Sequence, residues 1–261
     1  MERSRRKESS APARDEAALV FFDPAPEPRN AEEARTMGEG AYVKLRSDLI
    51  GGRIAPGSRL PFRQLSAQYQ VGIGPLREAL VRLASEHLVE FEGQRGFVVA
   101  PLSIADLKDL TERRIELTCQ ALRLSIAQGD ETWEDNILVA LHRLLRSQRP
   151  NSTADAQTID EWERRHDRFH TSLVAACGSK WLLHFCTVLS DHFQRYRRFI
   201  VASMSESAPL FDDIRQQHSA LAEAALDRRA DDAVALLKGH FEGSLAQVLG
   251  YAETIAGRKR A

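Results

Sequence analysis

The chain has 261 residues, of which 28% are charged and 43% hydrophobic, and its formal net charge is −1 at pH 7. This length suggests about two domains, and there is no apolar run of about 18 residues that would span a membrane. The N-terminus lacks the apolar core of a signal peptide, and the three cysteines show no paired spacing that would indicate a disulfide framework. We therefore expect a cytoplasmic protein in a reducing compartment.

The first 38 residues are predicted to form a disordered arm that belongs to neither domain. They are rich in Ala, Glu, Arg, Ser and Pro, and Pro24, Pro26 and Pro28 alternate with other residues. Such a composition buries too little apolar surface to offset the entropy lost on ordering. The alternative is that the single apolar cluster, Val20-Phe21-Phe22, docks on a folded domain.

Residues 39–102 carry the pattern of a DNA-binding domain that begins with short helices. Between Pro56 and Pro101, two short helical patterns are separated by a glycine-containing turn. The second helix is predicted to open with Gly74 as its cap and Pro75 at its first position. Its apolar residues recur at helical spacing, so one face is buried. These residues are Leu76, Ala79, Leu80, Leu83 and Ala84.

Two short apolar runs follow, at 88–91 and 96–99, and the four residues between them end in arginine. This pattern predicts a hairpin with a basic tip, and the whole segment is therefore predicted to form a winged helix-turn-helix. Such a fold places its second helix in the DNA major groove and its wing against the neighbouring backbone or minor groove. Residues 41–101 contain eight Lys and Arg against five Asp and Glu, so this segment alone is basic.

This segment resembles the DNA-binding domain of GntR-type bacterial regulators, in the FadR branch. The family's pattern is matched in order by Leu45-Arg46, Ile50, Gly52, Pro56-Gly57, Leu60, Leu65-Ser66, Val71-Gly72, Pro75-Leu76-Arg77-Glu78-Ala79-Leu80, Leu83, Leu88-Val89, Gly96 and Val98. The resemblance implies DNA contacts by Arg63, Arg77, Gln94, Arg95 and Gly96. Many members carry a guanine-reading arginine where this chain has Ile73, so that base contact is not carried over. The alternative for each arginine is a solvated surface charge.

From residue 103 to 255 the chain is predicted to be an all-α bundle of six to seven helices, which makes the whole protein mainly α. Ser103-Ile104-Ala105-Asp106 is an N-cap pattern. Six amphipathic stretches follow, at about 103–128, 133–147, 159–178, 180–202, 211–227 and 231–254. About 150 residues of this kind suffice for one packed core. Residues 256–261 are predicted to be a flexible tail.

Four of the eight histidines occupy positions from which they could meet inside this bundle, namely His166, His170, His218 and His240. The first two are four residues apart and therefore share one helix face. The other two lie on the last two predicted helices. Imidazoles from three helices could hold a divalent cation such as Zn²⁺ or Ni²⁺. On spacing alone, histidines four residues apart are more often a plain surface pair than metal ligands.

This half of the chain resembles the FCD domain, the all-helical ligand-binding domain that follows the winged helix in the same branch. The family's metal pattern is Asp-x-x-x-His on one helix and then two histidines 22 residues apart on the last two helices. Here Phe169-His170 and the pair His218 and His240 match, whereas His166 occupies the aspartate position. The resemblance implies a bound divalent metal, zinc in the first place and nickel as an alternative. Four neutral imidazoles leave the metal charge uncompensated, which favours an anionic ligand; the alternative is a histidine cluster that binds effector without metal.

The resemblance also implies that Arg114, on the first bundle helix, faces the cavity and binds the effector's carboxylate. A guanidinium group binds a carboxylate through two parallel hydrogen bonds. The family's glutamate on that helix is replaced by Thr118, so the usual internal partner of Arg114 is missing. The sequence around the histidines is most similar to regulators of glutarate and other short dicarboxylate catabolism.

We therefore expect a homodimeric transcription regulator, a repressor, that binds a palindromic double-stranded DNA operator and senses a small carboxylate through a metal-containing pocket. One competing hypothesis is a metal-dependent hydrolase built on the histidine cluster. The only acidic residue beside the ligands is Asp167, which helical geometry directs away from their face, and a winged helix has no role in such an enzyme. The other is a purely architectural DNA-binding protein, which an effector pocket would exclude.

Overall fold

The structure, a computed structural model, describes residues 31–147, 155–202 and 214–258. The predicted arm over residues 1–30 and the last three residues of the predicted tail lie outside this range. The described residues begin with α1 (Ala31–Ile50), α2 (Phe62–Tyr69), α3 (Ile73–Ser85), β1 (Val89–Glu92) and β2 (Gly96–Val99). They continue with α4 (Ile104–Gln128), α5 (Glu131–Leu145), α6 (Ala156–Val174), α7 (Lys180–Ala202), α8 (Ile214–Leu226) and α9 (Ala230–Arg258). Within these ranges no helix is both long enough and apolar enough to cross a bilayer.

The first five elements form the predicted winged helix-turn-helix. Strands β1 and β2 pair antiparallel from Val89 opposite Val99 to Glu92 opposite Gly96, and a single 3₁₀ turn closes the wing. Helix α3 begins at Ile73, two residues before the predicted start, so Pro75 is its third residue rather than its first. This shift costs no hydrogen bond, because the first four N–H groups of a helix have no intrahelical partner.

The winged-helix unit starts earlier than the predicted boundary at residue 39. Residues 31–38 belong to α1 and are helical, where the sequence predicted a disordered arm. Tertiary contacts explain the difference: Met37 packs on the core of this unit, and Gly38 approaches Pro75 so closely that an added Cβ would lie 3.3 Å from the proline Cβ. At the other end of the chain, α9 continues to Arg258, so the first three residues of the predicted tail are also helical.

Helices α4–α9 form the predicted bundle of six helices. The hydroxyl of Ser103 caps α4 by accepting a hydrogen bond from the backbone N–H of Asp106 at 3.0 Å, as the N-cap pattern predicted. Helix α4 packs against α7 and α9, and α5 packs against α6 and α8. The largest buried side chains of this core include Trp133, Trp162, Phe169 and Phe241. The packed interior therefore lies directly beside the predicted site histidines of α6 and α9.

Candidate functional site

The predicted DNA-binding residues lie on three elements of the winged helix that touch one another. Arg63, on α2, and Arg77, on α3, are both exposed. The Arg77 guanidinium lies 5.3 Å from the centre of the Phe62 ring, and Phe62 packs edge-on against Phe97 of β2. Helix α2, the recognition helix α3 and the wing are therefore joined through the Phe62 ring, which contacts both Arg77 and Phe97.

The wing presents the remaining residues of this predicted surface. Gln94 and Arg95 are exposed in the turn, and Arg95 forms an ion pair with Glu92, the last residue of β1 before the turn. Gly96 adopts a φ of 75°, a left-handed conformation that favours glycine. At the start of α3, Ile73 is 52% exposed, so this position offers an apolar contact where many family members have arginine.

The four histidines predicted as metal ligands converge at one point in the bundle. Helix α6 supplies His166 and His170, α8 supplies His218, and α9 supplies His240, and all four side chains are buried. One ring nitrogen from each lies within 4.8 Å of those from the others. The Nε2 atom of His170 is 3.2 Å from Nε2 of His166 and 3.2 Å from Nε2 of His218.

This geometry is compatible with a metal ion. Two nitrogens bound to zinc at 2.0–2.1 Å in a tetrahedral site lie about 3.3 Å apart, which is close to the two observed separations. The amide oxygen of Gln217 accepts a hydrogen bond from Nδ1 of His240 at 2.9 Å. That bond leaves Nε2 of His240 as the ligand nitrogen and orients the ring, as second partners of metal-bound histidines do. Four imidazole donors suit zinc, nickel and copper.

Burial keeps these histidines neutral, which is the state that binds metal. Removal from water lowers the pKa of His166, His170 and His240 well below the usual value, and the neighbouring imidazoles and arginines lower it further. The unfolded chain therefore takes up protons before the folded chain does as the pH falls through 6.5.

We expect the metal-free protein to lose stability progressively as the pH falls below about 6.5. The sign follows from the lowered pKa values, because the unfolded state binds the extra protons, and each histidine contributes a slope of about 1.4 kcal/mol per pH unit. Urea unfolding in EDTA between pH 7.5 and 5.5 measures this slope. His142→Gln, which removes an exposed histidine, should leave the slope unchanged, and a flat profile for the unsubstituted protein would contradict the expectation.

The predicted effector residue Arg114 is buried close to the histidines. Its guanidinium carbon lies 3.8 Å from the centre of the Phe241 ring and 4.8 Å from that of Phe193. Among the residues that the structure describes, none forms a hydrogen bond or an ion pair with it. Burial and the nearby Arg197 lower the pKa of Arg114 to about 9, so the group is still a cation at neutral pH. Asp167 and Glu163 lie near enough to offset part of the cost of burying this cation, but neither pairs with it directly. An anionic ligand bound to the guanidinium would offset more of that cost.

Arg114 and His170 line the same cavity, which has a volume of about 120 Å³. Thr118 and Cys186 lie on its wall, and the Thr118 hydroxyl is 3.8 Å from the Cys186 sulfur rather than in contact with Arg114. Asp167 also lines this cavity. Its carboxylate was predicted to point away from the ligand face, and Asp167 is indeed exposed and not among the side chains whose ligand atoms converge. The cavity nevertheless extends around α6 far enough to include it.

A second feature that sequence reasoning missed connects this domain to the recognition helix. Arg46 of α1 donates hydrogen bonds to Glu86 at 2.7 Å and to Asp191 of α7 at 2.6 Å. Glu86 is the C-cap residue of α3, and its backbone carbonyl lies 2.9 Å from Nε2 of His192. Helix α7, which carries part of the effector cavity wall, therefore contacts the end of the recognition helix.

Comparison with known proteins identifies both units. Residues 38–99 match the family of bacterial regulatory proteins called gntR, and residues 109–243 match the FCD domain. The chain is 36% identical over 228 residues to the HTH-type transcriptional regulator BphR of Paraburkholderia xenovorans (strain LB400), covering 87% of this chain and 91% of the relative. It is 36% identical over 199 residues to the HTH-type transcriptional repressor GlaR of Escherichia coli (strain K12), covering 76% and 90% of the two chains.

A solved structure supports the fold. The structure of E. coli McbR/YncC covers 82% of this chain and 97% of its own, with a TM-score of 0.67 at 18% identity. The two matched domains occupy the winged helix and the helical bundle described above. The chain therefore belongs to the gntR family of bacterial regulatory proteins, in the FadR-type branch with an FCD domain, and is a DNA-binding transcriptional regulator rather than an enzyme.

Proposed function

We propose that this regulator is a homodimeric repressor that leaves a palindromic operator when a small carboxylate binds in the FCD cavity. The observation that carries the proposal is Arg114, a buried cation that forms no hydrogen bond or ion pair with an acid among the described residues and lines a cavity together with His170. Repression is supported by the relative GlaR, which is named a transcriptional repressor. A two-fold palindrome fits the geometry in which a dimer places one recognition helix in each half-site.

We also propose that the four buried histidines hold a divalent metal, with zinc the first candidate and nickel the second. With four imidazoles bound, a metal would supply a cation with a position for an anion where it accepts a fifth ligand, as zinc sometimes does. His166, His170, His218 and His240 would hold it, and Arg114 would bind a carboxylate at the same cavity. The site would then carry two positive centres, which favours a dicarboxylate over a monocarboxylate.

We expect purified protein to contain near-stoichiometric divalent metal, and His170→Ala and His218→Ala to lose most of it. Both substitutions remove a buried imidazole from the centre of the cluster. Elemental analysis after extensive dialysis measures the metal content. His142→Ala removes an exposed histidine outside the cluster and should keep full occupancy.

Metal-free protein that still releases DNA at the same effector concentration would contradict the metal role. Such a result would support the alternative of a metal-free sensor, because the cavity and Arg114 would still be present. Protein stripped with EDTA and protein reconstituted with zinc should be compared in the same assay.

The effector class is tested by titrating release of the native promoter. Dicarboxylates of four to six carbons should release DNA at lower concentration than monocarboxylates of equal length, and neutral amides should have no effect. The small cavity volume, about 120 Å³, favours short compounds. Equal potency of the amides would contradict a carboxylate pocket.

We propose that effector binding in the cavity and operator binding by the dimer are coupled in free energy. An effector releases DNA only if it binds more tightly to a geometry whose recognition helices no longer fit the half-site spacing. The contacts of Arg46 with Glu86 and Asp191 support this, since they join α7 to the end of α3.

A further inference from the structure

The recognition helix α3 begins with a large apolar side chain that lies outside the core. Ile73, the first residue of this helix, is more than half exposed and is not among the side chains that pack on the core of the winged helix. Its neighbours in the chain, Gly72 and Gly74, have no side chains that could cover it. A Cβ added at Gly74 would meet no other atom within 4 Å. The isoleucine is therefore presented to solvent at the start of the helix.

Ile73 shares a helix face with a residue of the predicted DNA-binding surface. Helix residues four positions apart lie on the same face, with their Cβ atoms about 5–6 Å apart, so Ile73 is a neighbour of the exposed Arg77. The buried residues of α3 lie on its other side. The adjoining elements, α2 and the wing, expose Arg63 and Arg95. Ile73 is therefore an apolar contact point within a surface whose other exposed side chains include three cations suited to DNA phosphates.

The chemistry of this side chain restricts which base it can recognise. In a helix-turn-helix the N-terminal residues of the recognition helix contact base edges in the major groove. An isoleucine neither donates nor accepts a hydrogen bond, and thymine is the one base that presents an apolar group there, its C5-methyl group. Placed against a G·C pair, the isoleucine would remove water from polar base atoms without replacing their hydrogen bonds. The first residue of α3 therefore favours thymine over the other bases.

We propose that Ile73 is a specificity-determining residue that contacts the C5-methyl group of one thymine in each operator half-site. The contact discriminates among bases, whereas the surrounding arginines supply most of the affinity through charge. This inference rests on the proposed function, because it requires that α3 docks in the major groove of each half-site.

The test removes single methyl groups from the DNA. Deoxyuridine pairs with adenine as thymidine does and differs from it only by lacking the C5-methyl group. The probe is a duplex selected from a random library by the unsubstituted protein, in which each thymine position is replaced in turn, in both half-sites together. Affinity is measured for the unsubstituted protein, Ile73→Ala and Arg77→Ala. Leu138→Ala, which truncates an equally exposed apolar side chain on α5 of the bundle, is the matched control.

We expect one thymine position at which the loss of the methyl group weakens binding of the unsubstituted protein by about 4-fold per half-site, the effect of one buried carbon group. Ile73→Ala should bind the thymine and uracil duplexes equally at that position. Arg77→Ala and Leu138→Ala should both keep the difference, although Arg77→Ala binds every duplex more weakly.

Two results would overturn the inference alone: uracil that has no effect at any position, or Ile73→Ala protein with the same uracil sensitivity as the unsubstituted protein. In both cases a weakened Arg77→Ala protein would leave the docking of α3 standing. If Ile73→Ala and Arg77→Ala both bind all duplexes like the unsubstituted protein, the docking fails together with the inference.

Discussion

Replacing Arg114 with alanine should abolish release of the operator by the effector and leave operator affinity intact. The substitution removes a buried cation that lines the cavity and has no ion-pair partner among the described residues, so the effector loses a charge-assisted pair of hydrogen bonds. Two such bonds are worth about 1.5–3 kcal/mol each, so the effector concentration for half-release should rise about 100-fold or more. Arg114→Lys should restore only part of the response, because an ammonium lacks the planar pair of donors.

Promoter-release titrations of Arg114→Ala, Arg114→Lys and a control decide this prediction. Arg113→Ala is the matched control, because it removes the neighbouring exposed arginine, which pairs with surface acids of α4. Thermal unfolding of each variant separates loss of response from loss of fold. Release from Arg114→Ala at the unsubstituted protein's effector concentration would mean that the carboxylate pocket lies elsewhere.

Arg77→Ala and Arg95→Ala should each weaken operator binding. Arg77 is exposed on the recognition helix and Arg95 on the wing, the two elements that enter or flank the DNA grooves in this fold. Loss of a base contact should cost about 1–3 kcal/mol. Loss of a phosphate contact should instead reduce the slope of log K against log salt concentration by about one, because one fewer counterion is released on binding.

Affinity for the native promoter measured across salt concentrations distinguishes these two roles. Arg123→Ala removes an exposed arginine of the bundle that pairs with Asp231, and it should change neither affinity nor salt dependence. If both winged-helix variants also behave like the unsubstituted protein, the proposed docking of α3 and the wing is wrong.

Most helix positions could be predicted because each helix carries its own local signals. The N-cap at Ser103, the periodic apolar residues and the glycine after α4 all act within a few residues of the helix they delimit. The early start of α1 could not be predicted in this way. Its cause is the packing of Met37 on the core of the winged helix and the close approach of Gly38 to Pro75, which lies 37 positions later in the chain.

In the site, too, the features set by local sequence could be predicted, and the features set by helix packing could not. The spacing of His166 and His170 fixes their common face, whereas their meeting with His218 and His240 depends on how three helices pack. Asp167 follows His166 directly and stays outside the converging ligand atoms, as its helix position predicts. That it also lines the cavity depends on how the wall continues from α6 to α7, which the helix position does not reveal. The contact of Arg46 with Asp191 joins residues 145 positions apart, and no local pattern predicts it.

Helix α7 runs from the cavity wall to the end of the recognition helix, which limits the distance that a response to effector must travel. Cys186 lies on the wall of the proposed effector cavity, and His192, six residues further along the same helix, contacts Glu86, which caps the C-terminal end of the recognition helix. At 1.5 Å per residue the two points are about 9 Å apart along the helix axis, less than two turns. A rigid tilt or slide of this one helix would move both ends together. The response would then need no unfolding step and no long relay of side chains, which is typical of shear motions between packed helices on the microsecond to millisecond scale.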